Sequence, residues 1–222
     1  FNSSNDLFQD KHLINSIKYK SSSKYSKFYK QANKNDWNKE FSWSMSVSRI
    51  LLKYFAHTDF RENQLEIINA SLCKKDIFVC MPTGGGKSLT YQIPAILNKG
   101  ITIVIMPLVS LILDQYTIMK SIDIPVLSTK EQNDDKISQY LQFDANGKCK
   151  YKIILTTPEK IVKNHRFKSL LHDLYNDGHL ERFVIDEAHC LSKWGNDFRK
   201  DYLELKLLRK EFRTVPILAL TA

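Results

Sequence analysis

Apolar residues along this chain follow two rhythms, and their alternation predicts the fold. Val47, Ile50, Leu51, Tyr54 and Phe55 recur at helical spacing, as do Leu65, Ile67, Ile68 and Leu72. Five short runs, at 77–80, 101–106, 153–156, 183–185 and 217–220, are apolar throughout and read as buried strands. Around and between them, 89–97, 110–122, 134–141, 167–175 and 198–212 read as helices. Asn133 to Asp135 and Asp144 to Gly147 read as surface turns. Strands buried on both faces and separated by amphipathic helices predict an α/β domain of three layers around a mostly parallel sheet. No internal repeat interrupts the pattern.

Residues 1–45 lack this rhythm. They form an extension rich in Lys, Ser and Asn, with Leu7, Leu13, Ile14 and Ile17 as one weak helical face, and the composition leaves its order open. Phe41-Ser42-Trp43-Ser44 reads as a segment that docks on the domain proper, which is expected over 46–222. The start at Phe1 and the end at Leu220-Thr221-Ala222 suggest a piece of a longer protein, with the domain truncated at its C-terminal end.

Charge and cysteines narrow the class. The net charge of +9 favours an anionic partner, nucleic acid or a membrane surface, without choosing between them. Four of the nine charges sit in residues 1–40, which hold eight Lys against four acidic residues, so part of the excess also fits a solvated arm. Four cysteines, Cys73, Cys80, Cys149 and Cys190, are far apart with no C-x-x-C pair. That spacing disfavours a zinc site or disulfide framework and fits a reducing, intracellular setting. The longest apolar run, 101–113, is broken by Pro107 and Ser110 and is too short to span a bilayer, so no membrane partner is expected.

The stretch that carries chemistry is Met81-Pro82-Thr83-Gly84-Gly85-Gly86-Lys87-Ser88, between the first predicted strand and a predicted helix. Three glycines let backbone N–H groups turn around an anion, and the helix N-terminus adds partial positive charge. Lys87 suits β- and γ-phosphates and the Ser88 hydroxyl suits Mg²⁺. Met81 stands where the strict phosphate-loop pattern has glycine, and the string could also be a plain strand-to-helix turn. The fourth strand runs into Asp186-Glu187-Ala188-His189. An Asp at such a tip suits Mg²⁺ opposite Ser88, and Glu187 suits activation of a water; a simple helix-start signal is the alternative.

These strings together resemble the RecQ family of DNA helicases within superfamily 2. The resemblance rests on Phe60-Arg61-x-x-Gln64, MPTGGGKSLTYQIPA at 81–95, MPLVSLILDQ at 106–115, TTPEK at 156–160, DEAHCLSKWGNDFR at 186–199 and ALTA at 219–222. It implies the first RecA-like P-loop NTPase domain of an ATP-dependent helicase that moves 3′ to 5′ on DNA and works in the nucleus. ATP and Mg²⁺ would be its cofactors, single-stranded and duplex DNA its partners, and a second RecA-like domain would complete the site. By the same resemblance, Thr83, Gly84, Gly85, Gly86, Lys87 and Ser88 hold the phosphates. Gln64 reads the adenine edge, and Arg61 and His57 flank the base. Lys87, Asp186, Glu187 and His189 make the catalytic set, with Ser88 and Asp186 on the metal.

Ser110 and Thr157 correspond to DNA-backbone contacts, although each also reads as a helix cap. Trp194, Phe198 and Arg199 correspond to an aromatic-rich loop linking DNA to hydrolysis, or alternatively to residues packing that loop. The family's usual Gln, His and Pro are Lys193, Asn196 and Lys200 here. An RNA helicase of the same superfamily and a non-hydrolysing nucleic-acid-binding module are the rival readings. The piece alone is expected to turn ATP over barely.

Overall fold

The computed structural model describes residues 34–191 and 200–222. Helices α1 (Lys34–Trp37), α2 (Ser44–Phe55) and α3 (Gln64–Leu72) precede strand β1 (Ile77–Cys80). Then α4 (Leu89–Leu97) leads to β2 (Ile101–Ile105), α5 (Val109–Ser121) to β3 (Val126–Ser128), and α6 (Asp134–Tyr140) to β4 (Ile153–Thr156). Helices α7 (Pro158–Lys163) and α8 (His165–Asn176) lead to β5 (Leu180–Ile185). A 3₁₀ turn, Ala188–Leu191, and helices α9 (Lys200–Glu204) and α10 (Lys206–Glu211) come before β6 (Ile217–Thr221).

The six strands form one parallel sheet in the order β1-β6-β5-β2-β4-β3. Strand β2 shows why its sequence is apolar at every position. Ile101, Ile103 and Ile105 face one core with Phe167, Leu171, Phe183 and Phe212, while Val104 and Met106 face the other with Tyr91, Ile112 and Met119. The sheet is thus covered on both faces, as the pattern predicted. A third cluster, Val47, Leu51, Ile68, Leu89 and Ile93, fastens α2 and α3 to α4.

Three expectations are corrected. Strand β1 is not buried on both faces: it lies at the sheet edge and Phe78 is 57% exposed. Strand β3 escaped the sequence pattern because a three-residue apolar run falls below the length at which a strand can be told from a turn. The predicted helix 198–212 is two helices within its described part, parted at Leu205. There the N–H of Leu205 bonds Tyr202 and that of Leu208 bonds Leu205, both three residues back. This tightening keeps Tyr202, Leu205 and Leu208, spaced by three, all buried in one core.

The Phe41–Trp43 segment does dock. The two rings stack at 4.9 Å, the Trp43 indole N–H donates to Asn69 Oδ1 at 2.9 Å, and Asn69 Nδ2 donates to the Trp37 carbonyl. Asn69 itself is fully buried on α3, so one amide ties the residues before 46 to the domain.

Candidate nucleotide and nucleic-acid site

Because all strands run parallel, their carboxyl ends share one edge, and the polar strings gather there. The phosphate loop leaves β1 with Met81 buried and its N–H bonded to the Thr221 carbonyl of β6. Met81 therefore packs in the core at the place where a stricter motif has glycine. Gly84 (φ +76°) and Gly86 (φ +82°) hold the left-handed backbone that the loop needs. The Lys87 ammonium folds back to donate to the Met81 carbonyl at 3.1 Å. Ser88 opens α4 without capping it, which leaves its hydroxyl free of that duty.

Arg61 and Gln64 lie against this loop. Arg61 Nη1 donates to the Gly84 carbonyl at 2.5 Å, and Gln64 Nε2 donates to the Gly86 carbonyl at 3.1 Å. The Gln64 side-chain oxygen accepts the Arg61 N–H at 2.8 Å, and Gln64 is 3% exposed. A Cβ on Gly86 would stand 2.3 Å from Gln64 Nε2, so glycine is required there for two reasons at once. Sequence spacing gave no sign that these two side chains brace the loop. His57 is exposed in the turn that follows α2.

Asp186 leaves β5 beside the loop, with its N–H on the Ile105 carbonyl and its carboxylate accepting the Glu187 N–H at 3.0 Å. Burial, and next the charge of Glu187, push its carboxyl up to about 6, against the pull of Glu187 N–H, Lys87 and His189. Glu187 takes a left-handed backbone, φ +51°, that turns the chain sharply at the strand tip. Its carboxylate is 3.2 Å from His189 Nδ1, which also lies 3.3 Å from the Thr221 hydroxyl. Tyr202 holds the same turn by donating to the Asp186 carbonyl at 3.0 Å. The Thr221 and Tyr202 contacts cross the sheet edge and have no signature in linear spacing.

The residues present fit an anion and a divalent cation. Glycine backbone, a helix N-terminus and Lys87 surround the place of an anion. The half-buried Asp186 carboxyl is under-compensated, and Ser88 offers a hydroxyl not used to cap α4. Among the described residues, no group of three or more His, Cys, Asp or Glu forms a protein-only metal site, so a cation here would draw ligands from a bound nucleotide as well.

Beyond β2 and β4, a cleft of about 540 Å³ is lined by Pro107, Leu108, Val109, Ser110, Lys130, Thr157 and Glu159. Ser110 does not cap α5: the helix starts at Val109 and Leu108 occupies the cap without a side-chain bond. Ser110 is exposed in the first turn, toward the cleft. Thr157 does cap, accepting the Lys160 N–H at 3.3 Å from the start of α7. Lys130 was not anticipated, because it follows the unrecognised strand β3. Trp194, Phe198 and Arg199, with Lys193 and Asn196, lie outside the described residues; Lys200 is exposed at the start of α9.

A parallel sheet with a glycine loop after one strand and an acidic pair after its near neighbour defines a nucleotide-phosphate-binding α/β domain. Residues 61–222 match the model of the DEAD/DEAH box helicases, and the chain belongs to that family. It is 48% identical over 184 residues to the RecQ-like DNA helicase BLM of Xenopus laevis, covering 82% of this chain and 13% of that protein. Against the ATP-dependent DNA helicase Q1 of Rattus norvegicus it is 41% identical, covering 84% of this chain and 30% of the relative. The chain therefore spans less than a third of the length of either. In fold it is similar to the DUF1998 helicase MrfA, with TM-score 0.58 at 17% identity over 80% of this chain and 29% of that one.

Proposed function

We propose that this chain is the first motor domain of an ATP-dependent DNA helicase of RecQ type, which unwinds duplex DNA while moving 3′ to 5′ on one strand in the nucleus. The carrying observation is the joint geometry at the sheet edge: the loop 81–88, braced by Arg61 and Gln64, stands beside an acidic pair whose charge the fold leaves under-compensated. Relatives at 41–48% identity named as DNA helicases support the same reading.

In this reading Lys87 and the loop N–H groups of Thr83 to Lys87 bind the phosphates of ATP. Gln64, Arg61 and His57 take the adenine. Ser88 and Asp186 would hold Mg²⁺, which would supply positive charge to the phosphates. Glu187 accepts a proton from the attacking water, and His189 holds Glu187 and relates it to Thr221. Ser110 and Thr157 meet the DNA backbone, Trp194 and Phe198 stack on bases, and Arg199 meets phosphate. A second RecA-like domain supplies the opposite wall and an arginine, typically worth about 10³–10⁵ in rate.

The test is Lys87→Ala in the full-length protein. DNA-stimulated ATP hydrolysis should fall about 100-fold or more, as expected for loss of a charge aimed at the transferred phosphoryl group. Hydrolysis and unwinding kept at the wild-type level would remove the proposal. Competition by single-stranded RNA as effective as by DNA would turn it toward an RNA helicase.

A further inference from the structure

The peptide that joins Asp186 to Glu187 is held from both sides. Its N–H donates to the Asp186 carboxylate at 3.0 Å, and its carbonyl accepts the Tyr202 hydroxyl at 3.0 Å. The same peptide leads into the left-handed backbone of Glu187, φ +51°. A residue with a side chain keeps that conformation only where its surroundings enforce it. The peptides on either side are fixed as well: the Asp186 N–H bonds the Ile105 carbonyl and the Cys190 N–H bonds the Glu187 carbonyl, each at 2.9 Å. Tyr202 reaches the turn from α9, fully buried in the core that also holds Ile185, Ala188 and Cys190. Phenylalanine would fill the same space, so packing alone does not call for the hydroxyl.

We propose that Tyr202 is a positioning residue for hydrolysis, whose hydroxyl locks the Asp186–Glu187 peptide and so aims the Glu187 carboxylate. The role rests on the reading above in which Glu187 accepts a proton from the attacking water. A general base must stand within hydrogen-bond reach of the proton it takes, so a small rotation is enough to disable it. Without the hydroxyl the peptide is free to rotate, and Glu187 relaxes out of its left-handed backbone. The phosphate loop is carried by β1 and α4 instead, so nucleotide binding is kept while the chemical step slows.

The variant Tyr202→Phe keeps the ring and removes only the hydroxyl. In the full-length protein, DNA-stimulated kcat and KM for ATP are measured beside the affinity of a fluorescent, non-hydrolysable ATP analogue. Wild type, Tyr202→Phe, Glu187→Gln and the double variant are compared. Tyr202→Phe should lower kcat by about ten- to a hundredfold, the cost of a displaced catalytic group, with KM and analogue affinity at the wild-type values. In the Glu187→Gln background the same change should cost nothing further, because residues that act through one another are not additive.

A Tyr202→Phe protein with wild-type kcat overturns the role. So does a loss of analogue affinity in step with kcat, which marks the hydroxyl as part of the fold alone. An equal fall in kcat with and without the Glu187 carboxylate overturns it too. A Glu187→Gln protein that hydrolyses ATP as fast as wild type overturns the reading of Glu187 itself, so the two failures are distinguishable.

Discussion

Strand β5 has a charge toward each end, Arg182 buried within it and Asp186 half-buried just past it, and the fold treats them in opposite ways. At its amino end Arg182 is 2% exposed, and its guanidinium donates to the Ser71 carbonyl at 2.6 Å and the Lys75 carbonyl at 2.9 Å. The Ser71 carbonyl lies in the last turn of α3, the negative end of its dipole, and Lys75 follows that helix. Lys152 repeats the arrangement near by, donating to the Asn98 and Lys99 carbonyls after α4. At the carboxyl end Asp186 receives one backbone N–H and faces Glu187. Charge at one end is matched by carbonyls inside the chain, whereas charge at the other is only partly offset, by Glu187 N–H, Lys87 and His189. Under the function proposed above, the difference separates a structural ion from one that meets a ligand.

The largest effect should come from breaking the satisfied end. Arg182→Met leaves the Ser71 and Lys75 carbonyls without their donors and should lower stability by about 3 kcal/mol, since each buried acceptor stranded costs about 1–3 kcal/mol. Urea midpoints read this directly. A loss under about 1 kcal/mol would mean that water replaces the guanidinium, and the contrast between the two ends would fail.

Asp186→Asn should do the reverse. The folded carboxyl titrates near 6, above its ordinary value of 3.8, because burial and then Glu187 oppose its charge. A raised acid favours the fold when protonated, so wild type loses this contribution as pH rises through that window. Asn does not ionise and can still accept the Glu187 N–H. In EDTA, the variant should exceed wild type by about 3 kcal/mol at pH 7.5, and the gap should nearly close by pH 4, as a shift of this size implies. Activity should be lost throughout. A variant no more stable than wild type at pH 7.5 would place the compensating charge inside the protein after all.

Glycines sharpen the comparison at intermediate cost. Gly178 and Gly86 both have positive φ, +72° and +82°. An added Cβ meets nothing within 4 Å at Gly178 but comes within 2.3 Å of Gln64 Nε2 at Gly86. Gly178→Ala should cost about 1 kcal/mol for the backbone alone. Gly86→Ala should cost about 1–2 kcal/mol more and weaken nucleotide binding, because Gln64 must leave the loop. Equal costs would show that Gln64 swings away freely and does not brace the loop.

How much of this was legible follows from what each feature depends on. Strand β2 and helix α4 were readable because an apolar run and its bounding Pro and Gly are local. The loop and the acidic pair were readable because their chemistry is written in adjacent residues. Arg182 was not, since its partners are 107 and 111 positions away and are carbonyls, which every residue has. The contact of Gln64 with Gly86 was hidden likewise: the sequence suggested a base-reading amide, and only the fold places it on the loop. Leu205 defeated the helix pattern because spacing by three fits a tightened turn as well as a continuous helix.

The smallest effect tests whether a side chain at the carboxyl edge can serve fold and ligand together. Thr157 already gives an oxygen lone pair to the Lys160 N–H, but a hydroxyl keeps its proton for a phosphate oxygen. Thr157→Ala should therefore lose about 1 kcal/mol of stability, the usual worth of an N-cap, and weaken single-stranded DNA binding. Thr157→Asp retains an acceptor for the cap but brings a negative charge and no proton to donate. It should restore stability while binding DNA worse than Thr157→Ala. Binding by Thr157→Asp equal to that of wild type would leave Thr157 as a cap alone, and would shift the nucleic-acid contact in the cleft to Ser110 and Lys130.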